Sequence, residues 1–330
     1  MVLFLKNREY LGVPKSHFTA KVGPIGLDMG EDTLKVVQLQ DNDKGIILVA
    51  GGIEKRPDDI KPGSVKWQMW AIEAIKRLTS NNKLRGRDVV AAIPASEVLI
   101  EHIKTPKMKD DKDNKLQSAI ISKIKQKLPI ELDNAMIKYI PTEDDNIMAI
   151  VTSREKINRY LAIYEKAQLA IKSICVWPIA LTNTYTKFFG RRKTDIDAVV
   201  MLVDIERNCT NVVICRHKNL LFAHSLALGV SHAELAETDE TITRLTFELS
   251  TCKRQFCSMY TNANIERLVF LSGQAVDKSL YTAIAKQLAM PAQMGDCLAA
   301  VEIPVNHEGL AIERRGCQFS WATAFGLSVS

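Results

Sequence analysis

The chain has 330 residues, of which 46% are hydrophobic and 25% are charged, as in an ordinary folded protein. Its length exceeds the size at which a single hydrophobic core stops growing, so two lobes or domains are expected. The formal net charge of +6 is modest and spread along the chain, and neither a helix-turn-helix pattern nor basic–aromatic interleaving accompanies it, which excludes a nucleic-acid-binding protein.

Three further classes of protein are not indicated: disulfide-bonded secreted proteins, histidine-ligated metalloproteins and membrane-spanning proteins. The seven cysteines form no repeated short pair and no signal peptide precedes them, so reduced cytoplasmic thiols are expected. The six histidines are scattered without metal-ligand spacing, so no metal site is predicted from them. The longest apolar runs are far shorter than a bilayer is thick, so no membrane-spanning segment is expected.

The earliest elements predict a β-meander and a helix. Apolar runs bounded by turn residues occupy 25–29, 34–40 and 46–51, as in strands. A helix is predicted over 64–78, because apolar residues recur there at helical spacing. These elements are assigned to a first lobe, residues 1–85.

Residues 86–168 are predicted to form a self-contained α+β insertion. A helix is expected over 116–128, where apolar residues recur in steps of four and Pro129 ends the pattern. A second helix closes the segment. The predicted strands are 89–93, 98–103, 136–140 and 147–151.

The remainder of the chain predicts a return to the first lobe and then a second lobe. A strand over 171–176 and a closing helix within 316–330 are assigned, with the rest of 169–195, to the first lobe. The second lobe covers 196–315 and contains a long helix. Its strands are expected at 198–204, 211–216 and 220–225.

One motif occurs twice, with an offset of 176 positions. The first copy reads IGLDMG at 25–30 and leads into a strand, and its Asp28 matches Asp204 of the second copy. A strand ending in Asp, a turn and a returning strand is typical of the two-lobed sugar-kinase and actin type of fold. In that fold each lobe offers backbone N–H groups to phosphate and a carboxylate to Mg²⁺. Two related lobes facing a cleft are therefore predicted.

Five short motifs follow one another in a fixed order over residues 20–328. They are GLDMG at 26–30, AIPASEV at 92–98, LPI at 128–130, VFLSG at 269–273 and AFGL at 324–327. In this order they resemble the PilM family, actin-like cytoplasmic proteins of type IV pilus assembly that are relatives of FtsA. The resemblance implies an actin-like two-lobed α/β fold with an inserted α+β subdomain.

The resemblance also implies a nucleotide cleft. Asp28 and Asp204 would be metal-side carboxylates only if Mg²⁺–ATP binds; otherwise no metal, no cofactor and no catalytic residue is expected. The alternative expectation is that the cleft binds ATP and Mg²⁺ as cofactors. The nucleotide candidates, vestigial if nothing binds, are Asp28, Met29, Gly30, Thr33, Lys35, Asp204, Asn208, Thr210, Gly273 and Gln274.

The chain departs from the family pattern at this cleft. Phosphates need a close approach to backbone, which side chains obstruct. After Gly30 come Glu31 and Asp32, two carboxylates where phosphate oxygens would lie, and 206–209 replace a glycine-rich turn. Only about a dozen residues separate Gly229 from the next long helix, where the family has a larger subdomain that holds the adenosine. A degenerate nucleotide site in a shortened second lobe is therefore expected.

By the resemblance, the chain is expected to be a cytoplasmic scaffold of a type IV pilus or type II secretion-like machine, held at the inner membrane through its partners. The N-terminal cytoplasmic tail of a PilN-like inner-membrane protein is the expected partner, and the assembly ATPase of the same machine is a second candidate. The tail would need a preformed groove beside the insertion. The expected groove residues are Val98, Ile100, Ile103, Leu116, Ile120, Ile124 and Met136.

Three other functions remain open at this point. The first is an active actin-like ATPase whose nucleotide state controls partner binding. The second is an FtsA-like filament former of cell division, which the absence of an amphipathic segment at the end of this sequence disfavours. The third is a small-molecule kinase of the same superfamily, which the missing phosphate glycines disfavour.

Overall fold

A computed structural model describes residues 21–42, 45–81, 84–104, 112–128, 130–229, 239–273, 277–304 and 319–330. The strands are β1 (Lys21–Met29), β2 (Thr33–Asn42), β3 (Gly45–Lys55), β4 (Asp88–Ile93), β5 (Leu99–Lys104), β6 (Ala135–Pro141), β7 (Asn146–Ser153), β8 (Ala170–Val176), β9 (Val199–Ile205), β10 (Thr210–Arg216), β11 (Asn219–Leu226), β12 (Ile265–Phe270) and β13 (Ala292–Met294). The α-helices are α1 (Val65–Asn81), α2 (Lys112–Lys125), α3 (Arg154–Lys166), α4 (Trp177–Thr184), α5 (Lys193–Asp197), α6 (Asp239–Met259), α7 (Lys278–Leu288) and α8 (Ala322–Ser328). Among these residues, no helix combines the length and apolarity that crossing a bilayer requires.

Two of the sheets share one topology. The first has the strand order β3-β2-β1-β4-β8 and the second has the order β11-β10-β9-β12-β13. In both, the first three strands alternate in direction and the last two run parallel to the central strand. The register repeats as well, because Asp28 lies opposite Lys35 and Asp204 lies opposite Asn211. The duplicated motif therefore builds two related lobes, and the predicted two-lobed α/β architecture is confirmed.

A third, antiparallel sheet of order β5-β7-β6 belongs to the insertion. Because side chains alternate across a strand, one face of this sheet packs on α2, where Ile120 and Ile124 contact a core that includes Ile103. The opposite face joins the main core through residues such as Ile150 and Met136. The small sheet is therefore covered on both faces, and β5 and β6 are its two open edges.

The start of the predicted insertion, at residue 86, is wrong. Strand β4 lies in the first sheet, parallel to β1 on one side and to β8 on the other. Residues 89–93 of this strand are all buried, as expected of a central parallel strand covered on both faces. Helix α3 also packs against α1 and β8 as well as β7. The separate sheet thus starts at β5, and the other domain limits stay predictions.

The C-terminal helix α8 packs against β1 and α4 of the first lobe. Two glycines permit this close approach. A Cβ atom on Gly326 would lie 1.8 Å from the carbonyl oxygen of Ala180 in α4, and one on Gly26 would lie 2.3 Å from the carbonyl oxygen of Ala324. The backbones therefore touch where side chains normally separate them, which accounts for the glycines in the first and last sequence motifs.

The turn between β6 and β7 ties the insertion to the second lobe. The Thr142 hydroxyl donates to the phenolic oxygen of Tyr260, which itself donates to the backbone of β11. Glu143 pairs with Arg216 at the end of β10. A second contact is made by His102 of β5, whose ring stacks on Phe222 of β11 with centroids 4.4 Å apart. The insertion therefore bridges the two lobes.

Candidate functional site

A cavity of about 380 Å³ lies where the two lobes and the insertion meet. The first lobe contributes the turn after β1 and the end of β4, and the second lobe contributes the turn after β9 and the end of β11. The insertion adds the start of β5. The lining residues are Asp28, Gly30–Thr33, Lys35, Ile93–Ser96, Val98–Ile100, Trp177, Ile205–Cys209, Asn211, His224–Ala227, Phe319, Ser320 and Thr323.

A buried ion pair forms the floor of the cavity. Lys35 Nζ lies 3.4 Å from Asp28 Oδ2, and both side chains are almost inaccessible to solvent. Burial disfavours the charged ammonium group, but Asp28, Glu206 and Asp204 outweigh it and raise the pKa of Lys35 above its ordinary value. Carboxylates of both lobes thus hold Lys35 as a cation at the centre of the cleft.

The second-lobe carboxyl groups are strongly perturbed. Asp204 is fully buried, and the hydroxyl groups of Ser320 and Ser272 lie close enough to favour its charged form. Burial raises the pKa of Asp204 above its ordinary value. Burial and the neighbouring Asp204 raise the pKa of Glu206 in the same direction. The side chain of Asn211 donates to Glu206 at 3.3 Å. The second-lobe acids therefore hold their protons more tightly than free carboxyl groups do.

Polar side chains in and around the turn after β1 and the turn after β9 bind one another. Arg56 Nη2 donates to Asp32 Oδ1 at 2.7 Å, and its Nε donates to the backbone of Glu31. Asn208 of the second lobe also donates to Asp32, and Arg207 lies 3.7 Å from Asp58 of the first lobe. These contacts join the lobes across the cleft.

Comparison with protein families identifies the chain. The family model described as type IV pilus assembly protein PilM matches residues 26–237, well over half of the sequence. The chain belongs to the PilM family.

Solved structures agree with this PilM fold. In one described as the PilM–PilN type IV pilus biogenesis complex, a chain 20% identical to this one has a TM-score of 0.73, with 93% of this chain and 98% of that chain covered. The ethanolamine utilization protein EutJ of Carboxydothermus hydrogenoformans is 13% identical, with a TM-score of 0.51 and coverages of 94% and 90%. A search of curated protein sequences finds no significant match. The predicted actin-like fold is confirmed.

The structure divides the nucleotide candidates into two groups. Asp28, Gly30, Thr33, Lys35 and Asn208 line the cavity together.

The other candidates do not line it. Met29 lies in the hydrophobic core, and Asp204 is buried behind the wall. The Thr210 hydroxyl is buried and donates to the carbonyl oxygen of Leu228. Gly273 has a left-handed φ of +60°, and its carbonyl accepts from Tyr281. Gln274 lies outside the described residues.

The expected groove residues are corrected in part. Ile103, Ile120 and Ile124 are buried in the core of the insertion, where they pack α2 onto its own sheet, so they do not form an open groove. Met136 packs against the main core on the other face. Leu116 lies in α2, but its side chain is outside the described part.

Val98 and Ile100, two of the predicted groove residues, line the cavity. Both are half-buried, beside the open edge of β5. They are therefore the members of the predicted set that an occupant of the cavity can contact.

Sequence analysis missed part of the second-lobe wall. Asn211 was not singled out, although the offset that relates Asp28 to Asp204 also relates Lys35 to Asn211, so the repeat held a signal for it. Ser225, at the end of β11, and Trp177, at the start of α4, also line the cavity. No local motif marks these two residues, because only the folding of distant segments brings them to the cleft.

Replacement of Glu206 by glutamine is expected to stabilise the folded protein relative to the wild type, and the difference in stability should grow as the pH rises. The folded state raises the pKa of Glu206, so it binds this proton more tightly than the unfolded chain does. Its stabilising contribution is complete below the ordinary carboxyl pKa and is lost as the pH rises through the raised value. The melting temperature of Glu206→Gln should therefore equal that of the wild type at about pH 4 and exceed it at about pH 9. A constant difference across this range would contradict the assignment.

Proposed function

We propose that this PilM-family protein is a cytoplasmic scaffold of a type IV pilus or type II secretion-like machine. It binds the N-terminal cytoplasmic tail of a PilN-like inner-membrane protein and is thereby held at the membrane surface. The assembly ATPase of the same machine is its second proposed partner. The observation that carries this proposal is family membership, together with the likeness to a PilM chain solved in complex with PilN.

The site has the physical properties that tail binding requires. A tail without a fold of its own binds best to a preformed pocket on rigid elements. The cavity is framed by strands and by the half-buried side chains of Val98 and Ile100. Its volume lies within the roughly 300–1,000 Å³ typical of ligand sites. An extended tail can bury apolar side chains there while its backbone pairs with a strand edge.

The tail proposal predicts a measurable gain in stability. Ligand at about a hundred times its dissociation constant adds roughly 2.7 kcal/mol to the free energy of unfolding. A synthetic peptide with the tail sequence of the PilN-like protein from the same organism should therefore raise the melting temperature of the full chain. The substitution Ile100→Asp should abolish the shift, because it places a charge on the apolar wall of the cavity.

The control for this experiment is Lys138→Asp, which places aspartate at an exposed position on the opposite edge of the same sheet. This variant should keep the full shift. If the peptide stabilises Ile100→Asp as much as it stabilises the wild type, its binding site lies elsewhere on the protein. A tail without effect on the wild type would refute the proposal.

We also propose that the cleft no longer binds nucleotide. Three carboxylates, Asp28, Glu31 and Asp32, line the cavity against the two cationic side chains of Lys35 and Arg207. Burial and the neighbouring Asp204 raise the pKa of Glu206 to about 8, so this acid keeps its proton at neutral pH. Lys35 is already paired with Asp28. Arg56 is paired with Asp32, and Arg207 lies 3.7 Å from Asp58. A phosphate group would therefore have to displace carboxylates from these cations, and like charges a few ångströms apart repel strongly in a poorly hydrated cleft.

Calorimetric titration with Mg²⁺–ATP is therefore expected to give no saturable heat. A dissociation constant in the micromolar range or below would refute the degenerate site. The alternative function of an actin-like ATPase would then take over, with Asp28 and Asp204 as the carboxylates that face the metal. Filament formation, the other alternative, is tested by sedimentation of the full chain with and without nucleotide.

A further inference from the structure

Two strand edges face each other across the cavity. β5 is an edge of the insertion sheet and β11 is an edge of the second-lobe sheet. They touch at His102, and the neighbouring segments Val98–Ile100 and His224–Ala227 both line the cavity. An open strand edge presents unpaired backbone donors and acceptors, on which an extended chain can pair.

The contact with His102 shows which groups of β11 point outward. The His102 ring nitrogen Nε2 lies 2.9 Å from the carbonyl oxygen of Ala223 and 3.4 Å from its amide nitrogen. Both backbone groups of Ala223 therefore face away from β10. In an antiparallel strand alternate residues point to the same side, so the N–H and C=O of Ser225 face the cavity. Among the described residues nothing binds these two groups of Ser225.

Within the described part of the chain, one carboxylate that lines the cavity has no ion-pair or hydrogen-bond partner. Asp28 is paired with Lys35, and Asp32 is paired with Arg56. Asn211 donates to Glu206. In contrast, the half-buried carboxylate of Glu31 makes no ion pair or hydrogen bond with a described residue, although it lines the same cavity. A cationic group of an occupant can therefore pair with Glu31.

Two further polar groups of the wall are available. The side-chain oxygen of Asn211 and the indole N–H of Trp177 belong to residues that are 2% and 3% exposed. Neither group has a hydrogen-bond partner in the described part of the chain. Buried polar groups without partners are rare in native proteins, because each one costs free energy. The wall thus offers one acceptor and one donor close to the acidic end of the cavity.

We infer that this slot takes an extended peptide segment with one basic side chain, whose backbone pairs with Ser225 on the edge of β11 and whose cation pairs with Glu31. Its apolar residues lie on Val98 and Ile100. The inference rests on the proposed function, since the occupant is the tail of the PilN-like partner, and it adds the strand edge and the charge that the tail uses. The same pairing gives a reason for the acidic cleft of this chain.

The backbone part is tested by fluorescence anisotropy with the labelled tail peptide and the full chain. Ser225→Pro removes the outward N–H of the edge strand without removing a ladder hydrogen bond, because this N–H points away from β10. Affinity should fall about tenfold or more. The matched variant Ser225→Ala keeps the backbone donor and should bind as the wild type does. If Ser225→Pro is folded, as judged by circular dichroism, and binds the peptide with the affinity of the wild type, the proposed backbone pairing is wrong.

The proposed ion pair between the tail and Glu31 can be tested without a substitution in β11. Glu31→Gln should weaken the tail about tenfold, the usual effect of losing one charge-assisted hydrogen bond. Glu73→Gln, which removes an exposed carboxylate from α1, should not weaken it. A peptide whose basic residues are replaced by glutamine should lose affinity for the wild type but bind Glu31→Gln as weakly as the unmodified tail does.

The possible failures are distinguishable. Wild-type protein that does not bind the tail refutes the proposed function, and with it this inference. A tail that binds the wild type, Glu31→Gln and Ser225→Pro equally leaves the scaffold function intact and overturns the slot. Displacement of the bound tail by Mg²⁺–ATP would support the slot, because two ligands that share one cleft exclude each other, and it would refute the proposed loss of nucleotide binding.

Discussion

Replacement of Gly326 by alanine is expected to destabilise the protein by roughly 3 kcal/mol or more. The new Cβ atom would lie 1.8 Å from the carbonyl oxygen of Ala180, a distance that only a shift of α8 away from α4 can relieve. That shift would open the packing of α8 on β1 and α4. The free energy of unfolding, measured by urea denaturation, checks this expectation.

The control for this variant is Gly86→Ala. Gly86 has a positive φ of +78°, but an added Cβ would meet nothing within 4 Å. This substitution should therefore cost only the roughly 1–2 kcal/mol of a left-handed non-glycine residue. Equal losses for the two variants would mean that the contact between α8 and α4 does not require glycine at position 326.

Replacement of Ile124 by aspartate is expected to unfold the insertion rather than to block a binding groove. Ile124 is 1% exposed and packs in the core between α2 and the small sheet. An unpaired carboxylate there costs about 4 kcal/mol or more, a large part of the stability of a small unit. Hydrogen exchange should show lost protection in β5, β6 and β7 while β1 and β9 keep theirs.

The neighbouring substitution Lys125→Asp provides the matched control. Lys125 is exposed on the same helix, so aspartate there should change stability by less than about 1 kcal/mol. If Ile124→Asp instead kept full protection and lost only tail binding, Ile124 would return to the groove, and the assignment of the binding surface to Val98 and Ile100 would be wrong.

The cleft shows how much of a binding site can be predicted from local sequence patterns. The repeat predicted Asp28 and Asp204 at equivalent positions, and the sheets place them at equivalent register. However, only Asp28 lines the cavity, since the wall of the second lobe is formed by Glu206 and Asn211 in front of Asp204. Strand alternation predicts the face on which a side chain lies, but the packing of distant segments decides whether that face meets solvent or core.

The sequence by itself determined eleven of the strands, several of the helices, the doubling of the lobe and the family, because hydrophobic periodicity, turn residues and motif order are local properties of the chain. The tertiary structure alone decided that β4 belongs to the first sheet and that the apolar stripe of α2 is consumed within the insertion. It also decided that Arg56 neutralises Asp32, while no described residue forms such a pair with Glu31. These outcomes depend on which apolar faces and charges meet after folding, and residues far apart in the chain compete for each of those contacts.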